Sequence, residues 1–173
     1  GATRTLATRG VEGTVEYRPG ALRAQLSFAS VRSILSTKNY RNPSDFDAAY
    51  QLRLAFRCPL PGEITLGLFG RLRQGRYFLP LIATRPSPVP GVPEPLFATP
   101  NDGERLPLYR RLDLNLSRSF AIGPGALIAY INLTNVPNFQ NIRSFRYDAA
   151  YRQRRPVNYS RRTLFFGGVY RWN

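Results

Sequence analysis

The residues best equipped for chemistry lie in one stretch, FRYDAAYRQRRPVNYSRR, residues 145–162. Arg146, Arg152, Arg154, Arg155, Arg161 and Arg162 crowd into it, interleaved with Tyr147, Tyr151 and Tyr159. A guanidinium presents a planar fork of donors that bonds a phosphate or carboxylate bidentately. Tyrosine adds a hydroxyl and a flat face. The chemistry on offer is recognition of an anion, with Arg146, Arg152, Arg154, Arg155, Tyr147 and Tyr151 as candidate contacts. A solvated loop in a chain encoded by arginine-rich codons has the same composition. So does a surface that stacks on and neutralises nucleic acid.

Catalysis lacks its usual parts. The chain has no histidine, hence no imidazole base or imidazole metal ligand. Cys58 is the only cysteine, which excludes an internal disulfide and a cysteine zinc site. Asp113, Glu12 and Glu16 stand singly in alternating segments, as suits a hydrogen-bond ladder better than a catalytic pair. The expectation is a protein that is not an enzyme and carries no cofactor or metal. The net charge of +15 comes almost wholly from arginine, since Lys38 is the only lysine.

The elements that must position these residues read as strands. Leu112, Leu114 and Leu116 alternate with Asp113, Asn115 and Ser117. Tyr50, Leu52, Leu54, Phe56 and Cys58 share one face, opposite Arg53, Ala55 and Arg57. The same period of two runs through GVEGTVEY, ALRAQLSF, ITLGLFGRLRQ, ALIAYINLTN and RTLFFGGVYRWN. Such alternation marks strands with one apolar and one wet face. Seven strands result, most near the ~9–11 residues that cross a bilayer when tilted. Their connections alternate strictly between short Pro/Gly turns (RPG, PLPGE, AIGPG) and long stretches, one of them carrying RPSPVPGVPEP, expected to be extended and polyproline-like. In an up-and-down sheet all the short turns then fall at one end and all the long loops at the other, the asymmetry of an outer-membrane barrel.

Charge placement agrees. The apolar faces hold no charge at their centres, Arg110 and Arg118 flank them, and Arg23, Arg53, Arg57, Arg71 and Arg73 lie opposite. A soluble β-sandwich would alternate in the same way. No run approaches the ~18 apolar residues of a transmembrane helix. An odd strand count and the absence of methionine lead to the expectation that the chain supplies only part of a barrel wall.

Three ordered stretches carry a family resemblance: RLPLYRRLDLNLSRSF, AYINLTNVPNFQN and RQRRPVNYSRRTLFFGGVYRWN. They resemble the C-terminal end of TonB-dependent outer-membrane receptors. Arg105, Leu106, Pro107, Tyr109, Arg111, Leu112, Asp113, Leu114 and Ser117 match the family's first run. Asn132, Leu133, Asn135, Val136 and Asn138 match the second. RGVEGTVEYRPG is similar to the family's recurring strand and turn.

The resemblance implies an all-β, antiparallel up-and-down transmembrane β-barrel of 22 strands. Residues 1–173 would be its C-terminal segment, with the plug domain and earlier strands outside this chain. It implies energised uptake of a scarce ligand: an iron–siderophore complex, cobalamin, a glycan or a peptide. The implied partners are outer-membrane lipid and lipopolysaccharide, whose phosphates residues 145–162 would meet. The rest of the barrel with its plug, and the TonB system, complete the set; nucleic acid is not among them. Gly167, Tyr170 and Trp172 fit the spacing of the family's barrel-assembly signal, while Phe165 stands where that signal has a polar residue and Asn173 where it ends in an aromatic one. A smaller porin-like or structural outer-membrane barrel is the alternative, and a soluble basic nucleic-acid-binding protein the third.

Overall fold

A computed structural model describes residues 4–44, 47–89 and 91–172. Asn173 lies outside the described residues. All regular structure among those described is strand: β1 (Thr5–Tyr17), β2 (Arg23–Ser36), β3 (Arg41–Pro43), β4 (Ala48–Leu60), β5 (Ile64–Arg73), β6 (Tyr77–Phe78) and β7 (Leu81–Arg85). There follow β8 (Glu94–Phe97), β9 (Glu104–Arg105), β10 (Tyr109–Ile122), β11 (Gly125–Thr134), β12 (Ile142–Tyr147), β13 (Arg154–Asn158) and β14 (Thr163–Trp172). No helix is long and apolar enough to cross a membrane, which says nothing about crossing by strands.

The seven alternating segments form one antiparallel sheet in the order β1-β2-β4-β5-β10-β11-β14. Each strand pairs with its predecessor in the meander, as the short–long rhythm requires. The sheet is open, with β1 and β14 at its edges. The short turns are built where glycine supplies a left-handed residue. Gly20, Gly62 and Gly123 have φ of 57°, 76° and 55°. Only Gly123 and Pro124 separate β10 from β11. A left-handed glycine at the first position of a two-residue loop matches the twist of flanking strands.

Register sets the faces. One apolar row crosses all seven strands through Tyr17, Ala24, Phe56, Leu68, Leu114, Leu133 and Leu164, each the Cα partner of the next. The next row toward the turns runs Cys58, Leu66, Leu116, Ile131 and Phe166. Because side chains alternate, the intervening rung, Arg57, Gly67, Asn115, Asn132 and Phe165, projects from the other face.

Among the described residues no strand packs on the apolar face. Extensive contact between elements among the described residues is confined to ladder neighbours. Among the described residues the buried apolar side chains are Pro80, Ala98 and Leu106, all in the connection between β5 and β10. Val15, Phe166 and Trp172 are 71%, 80% and 76% exposed.

Two expectations change. Residues 31–36, the start of the long stretch VRSILSTKNYRNPSDFD expected to connect the second and third strands, continue β2. Its pairing with β1 runs without a break from Ala24 to Ser36, and the extra residue opposite it belongs to β4; the strand hides from the alternation because Ser30 and Arg32 follow Leu26 and Phe28 on the apolar face. The proline-rich stretch is not simply extended: β7 and β8 pair as a hairpin around it, closed by bidentate hydrogen bonds from Arg85 to Glu94 at 2.8 and 2.9 Å.

Candidate functional site

The three long connections lie at one end of the sheet and fold onto each other. Asp47 sits at the junction. Its Oδ1 accepts from the Ser33 amide at 2.8 Å and its Oδ2 pairs with Arg105. Asn141 mimics a strand neighbour toward Arg110, accepting from its amide at 2.8 Å and donating to its carbonyl at 2.7 Å. Phe78 of β6 meets Phe145 of β12 with ring centroids 5.3 Å apart.

The basic stretch becomes the hairpin β12–β13, which divides the expected contacts. Tyr147 and Arg154 are Cα partners, as are Arg146 and Arg155 one step along, so the two pairs occupy opposite sides. The first pair is committed internally. The Tyr147 hydroxyl accepts from the Leu81 amide at 3.3 Å, and the Arg154 guanidinium lies 4.0 Å from the centre of the Phe145 ring. Arg146 and Arg155 stand exposed on the other side. Arg152 and Tyr151 form the tip, where Asp148 Oδ1 accepts from the amides of Arg152 and Gln153 at 2.7 and 3.1 Å. Arg161 and Arg162 belong elsewhere: the Arg162 amide donates to Asn138 Oδ1 at 3.1 Å.

The asparagines of the LTNVPN run have a geometric duty. Asn135 and Asn138 are left-handed, with φ of 50° and 56°, a conformation asparagine tolerates better than most residues. The Asn135 side chain spans its own turn, accepting from the Phe139 amide and donating to the Phe139 carbonyl, both at 3.0 Å. Its amide donates to Asp113 Oδ1 at 2.7 Å. Asp113 also accepts from Arg111 Nε at 2.7 and 2.8 Å. The acid expected to stand alone in a ladder therefore anchors a turn.

On the polar face of the sheet, Arg53 of β4, Arg71 of β5 and Arg111 of β10 are Cα partners in a single rung. Ser27 of β2 extends it. The alternation alone puts Arg53 and Arg71 on the wet face. It does not reveal that they stand side by side, because that depends on how adjacent strands slide into register.

The C-terminal trio occupies β14. Tyr170 and Trp172 pack edge to face at 5.9 Å, and the Tyr170 hydroxyl donates to the Ile122 carbonyl at 3.1 Å. Gly167 is the Cα partner of Tyr130, and a β-carbon there would stand 2.7 Å from the Tyr130 hydroxyl. Its bareness makes room for a ring on the polar face. Among the described residues no three His, Cys, Asp or Glu side chains gather as a metal site would require. Compared with known families, curated proteins and solved structures, the chain matches no family model, no curated protein and no solved structure.

Proposed function

We propose that the chain is the C-terminal wall of an outer-membrane β-barrel of the TonB-dependent receptor type, serving uptake of a scarce ligand across that membrane. The observation that carries the reading is the uncovered apolar face: rows of Leu, Phe, Tyr and Trp cross the whole sheet, and among the described residues no element lies over them. Each such side chain left in water forgoes about 1.5–3 kcal/mol, so a face of this size needs a cover. Lipid supplies one, and strands satisfy their backbone in it. Arg118, at the turn end of that face, folds back to 4.9 Å from the Phe120 ring, as a snorkelling side chain would.

In this reading the short turns face the periplasm and the long connections face outward. There Arg146, Arg155 and Arg152 meet the ligand or lipopolysaccharide phosphates. Tyr170 and Trp172 sit in the periplasmic aromatic girdle. The edges of β1 and β14 pair with the remaining strands of the same wall. Uptake is gated by a plug that moves when the TonB system pulls, both contributed by parts outside this chain. Arginines spread over both faces and both ends of the sheet speak against one continuous nucleic-acid track.

Membrane fractionation tests the proposal. The full-length protein should remain in the membrane through carbonate washing, dissolve in detergent, and migrate faster on gels before boiling than after. Recovery as a stable monomer in detergent-free buffer sinks it.

A further inference from the structure

Four arginines meet on neighbouring rungs of the polar face, and of the carboxylates on those rungs only Asp113 pairs with one of them, Glu12 and Glu16 lying at the β1 end and Glu16 bound to Arg18. Arg53, Arg71 and Arg111 share a rung, and Arg73 lies on the next one toward the loops, between Gln51 and Tyr109. Like charges placed directly opposite each other in a ladder destabilise it. Asp113 answers only Arg111, and it also holds the Asn135 amide. Arg71 has no acidic partner among the described residues. The Nε of Arg73 is buried and makes no hydrogen bond, while its guanidinium lies 5.6 Å from the Tyr109 ring centre. A buried donor without an acceptor is costly unless something fills the place.

The rung lines a cleft of about 370 Å³ whose walls include Gln25, Ser27, Arg53, Arg71, Arg111 and Asp113. Phe69 and Asp113 share the next rung on the side of the short turns. Adjacent strands are ~4.8 Å apart, so Arg53 and Arg111 span roughly 10 Å. A lone oxyanion occupies one guanidinium fork and leaves the others opposed. We infer that this rung binds a small polyanion carrying two or more phosphate or carboxylate groups, with Arg71 central, Arg53 and Arg111 on either side, and Ser27 and Gln25 as neutral donors. The inference stands on register and charge, so it holds whatever covers the opposite face.

Calorimetric titration tests it on the folded full-length protein, in whichever fraction, detergent or aqueous, contains it. Pyrophosphate, citrate and acetate are compared at constant ionic strength. Pyrophosphate and citrate should bind more tightly than acetate by at least tenfold. Arg71→Gln should weaken them roughly tenfold, the loss of one charge-assisted contact. Arg71→Lys should recover only part, because an ammonium lacks the fork. Arg18→Gln, at the opposite end of the sheet, should bind like the parent. Circular dichroism verifies folding of each variant, and Arg53→Gln replaces Arg71→Gln if the latter does not fold. Three outcomes overturn the inference: no polyanion binding, which would mean carboxylates of the protein itself neutralise the rung; parental affinity in Arg71→Gln; or an equal loss in Arg18→Gln, which would mark a diffuse charge effect.

Discussion

The body of the sheet and its long-loop end obey opposite rules. In the body, large apolar side chains such as Phe166 and Leu164 are exposed and no layer covers them. At the loop end, connections that would ordinarily run over a wet surface contain most of the buried groups among the described residues: Ala98, Leu106, Asp47, Asn135 and Asn141, with Ser33 at the adjoining end of β2. A water-soluble domain puts its core beneath the sheet and leaves its loops outside. Here ladder hydrogen bonds hold the body together, and side-chain hydrogen bonds, ring contacts and an ion pair hold the end. The difference is what the proposed lipid cover would explain: among the described residues the body supplies no apolar layer of its own, whereas the end packs its own groups.

The sharpest way to break the comparison is to place one arginine on each side of β10. Leu116 lies mid-strand in an apolar row, and its neighbour Ser117 faces the other way, opposite Tyr130. If lipid covers the apolar face, Leu116→Arg should cost about 2–4 kcal/mol and remove most of the assembled, heat-modifiable protein from the membrane. Ser117→Arg should stay within about 0.5 kcal/mol and assemble normally. Were the face simply wet, Leu116→Arg would be as harmless as its partner, since Leu116 is already exposed. Equal yields from the two variants therefore contradict the lipid assignment.

At the loop end the expected cost is smaller and of a different kind. Asn135 is 1% exposed, and Asn135→Ala removes both hydrogen bonds to Phe139 from a left-handed residue. Buried polar groups left unpaired cost about 1–3 kcal/mol, so the urea midpoint should fall accordingly. Limited proteolysis should cut between residues 135 and 162 before it cuts the sheet. An unchanged midpoint would show that the end is not self-supporting. The sequence marks Asn135 only as part of a run. Its partner Asp113 lies on a different strand and reaches it through register, which no local pattern encodes.

The turns were the more legible half of the molecule. Proline and glycine announce each short connection, and glycine's freedom at positive φ explains why. Gly123→Ala should therefore cost about 1 kcal/mol by forcing a β-carbon into the left-handed region, read as a modest drop in midpoint with membrane assembly retained. Alternation likewise revealed seven strands and their two faces, because one face of each is apolar. It failed along the second half of β2, where Ser30 and Arg32 interrupt the apolar face although the pairing with β1 stays in register. It also failed for the candidate site. Residues 145–162 look like one basic cluster, yet the hairpin sets Tyr147 and Arg154 on one side, against Leu81 and Phe145, and Arg146 and Arg155 on the other. Arg53, Arg71 and Arg111, far apart in sequence, come together only when three strands fall into register.

The smallest effect belongs to the β7–β8 hairpin, which is farthest in character from the sheet. Glu94 is held below its ordinary carboxylate value, first by the hydrogen bonds from Arg85, against an opposing desolvation that outweighs the further help of that cation's charge. Arg85 is correspondingly raised. A depressed folded-state value means that the unfolded chain binds the proton more readily. The pair's contribution is thus fully present above the unfolded glutamate value, near pH 4.3, and fades as pH falls through the lower folded one. Both groups are solvent-exposed, so screening keeps the effect slight. Proteolytic nicking at residues 86–93, followed with an acid-active protease at low pH and a neutral protease at pH 7 and each normalised to cleavage of the unfolded chain, should rise a little as pH drops below about 4. Glu94→Gln should nick at the higher rate already at neutral pH and lose the pH dependence, while cleavage within the sheet stays flat in both proteins. A Glu94→Gln hairpin that nicks like the parent at pH 7 would assign its order to the strand pairing alone.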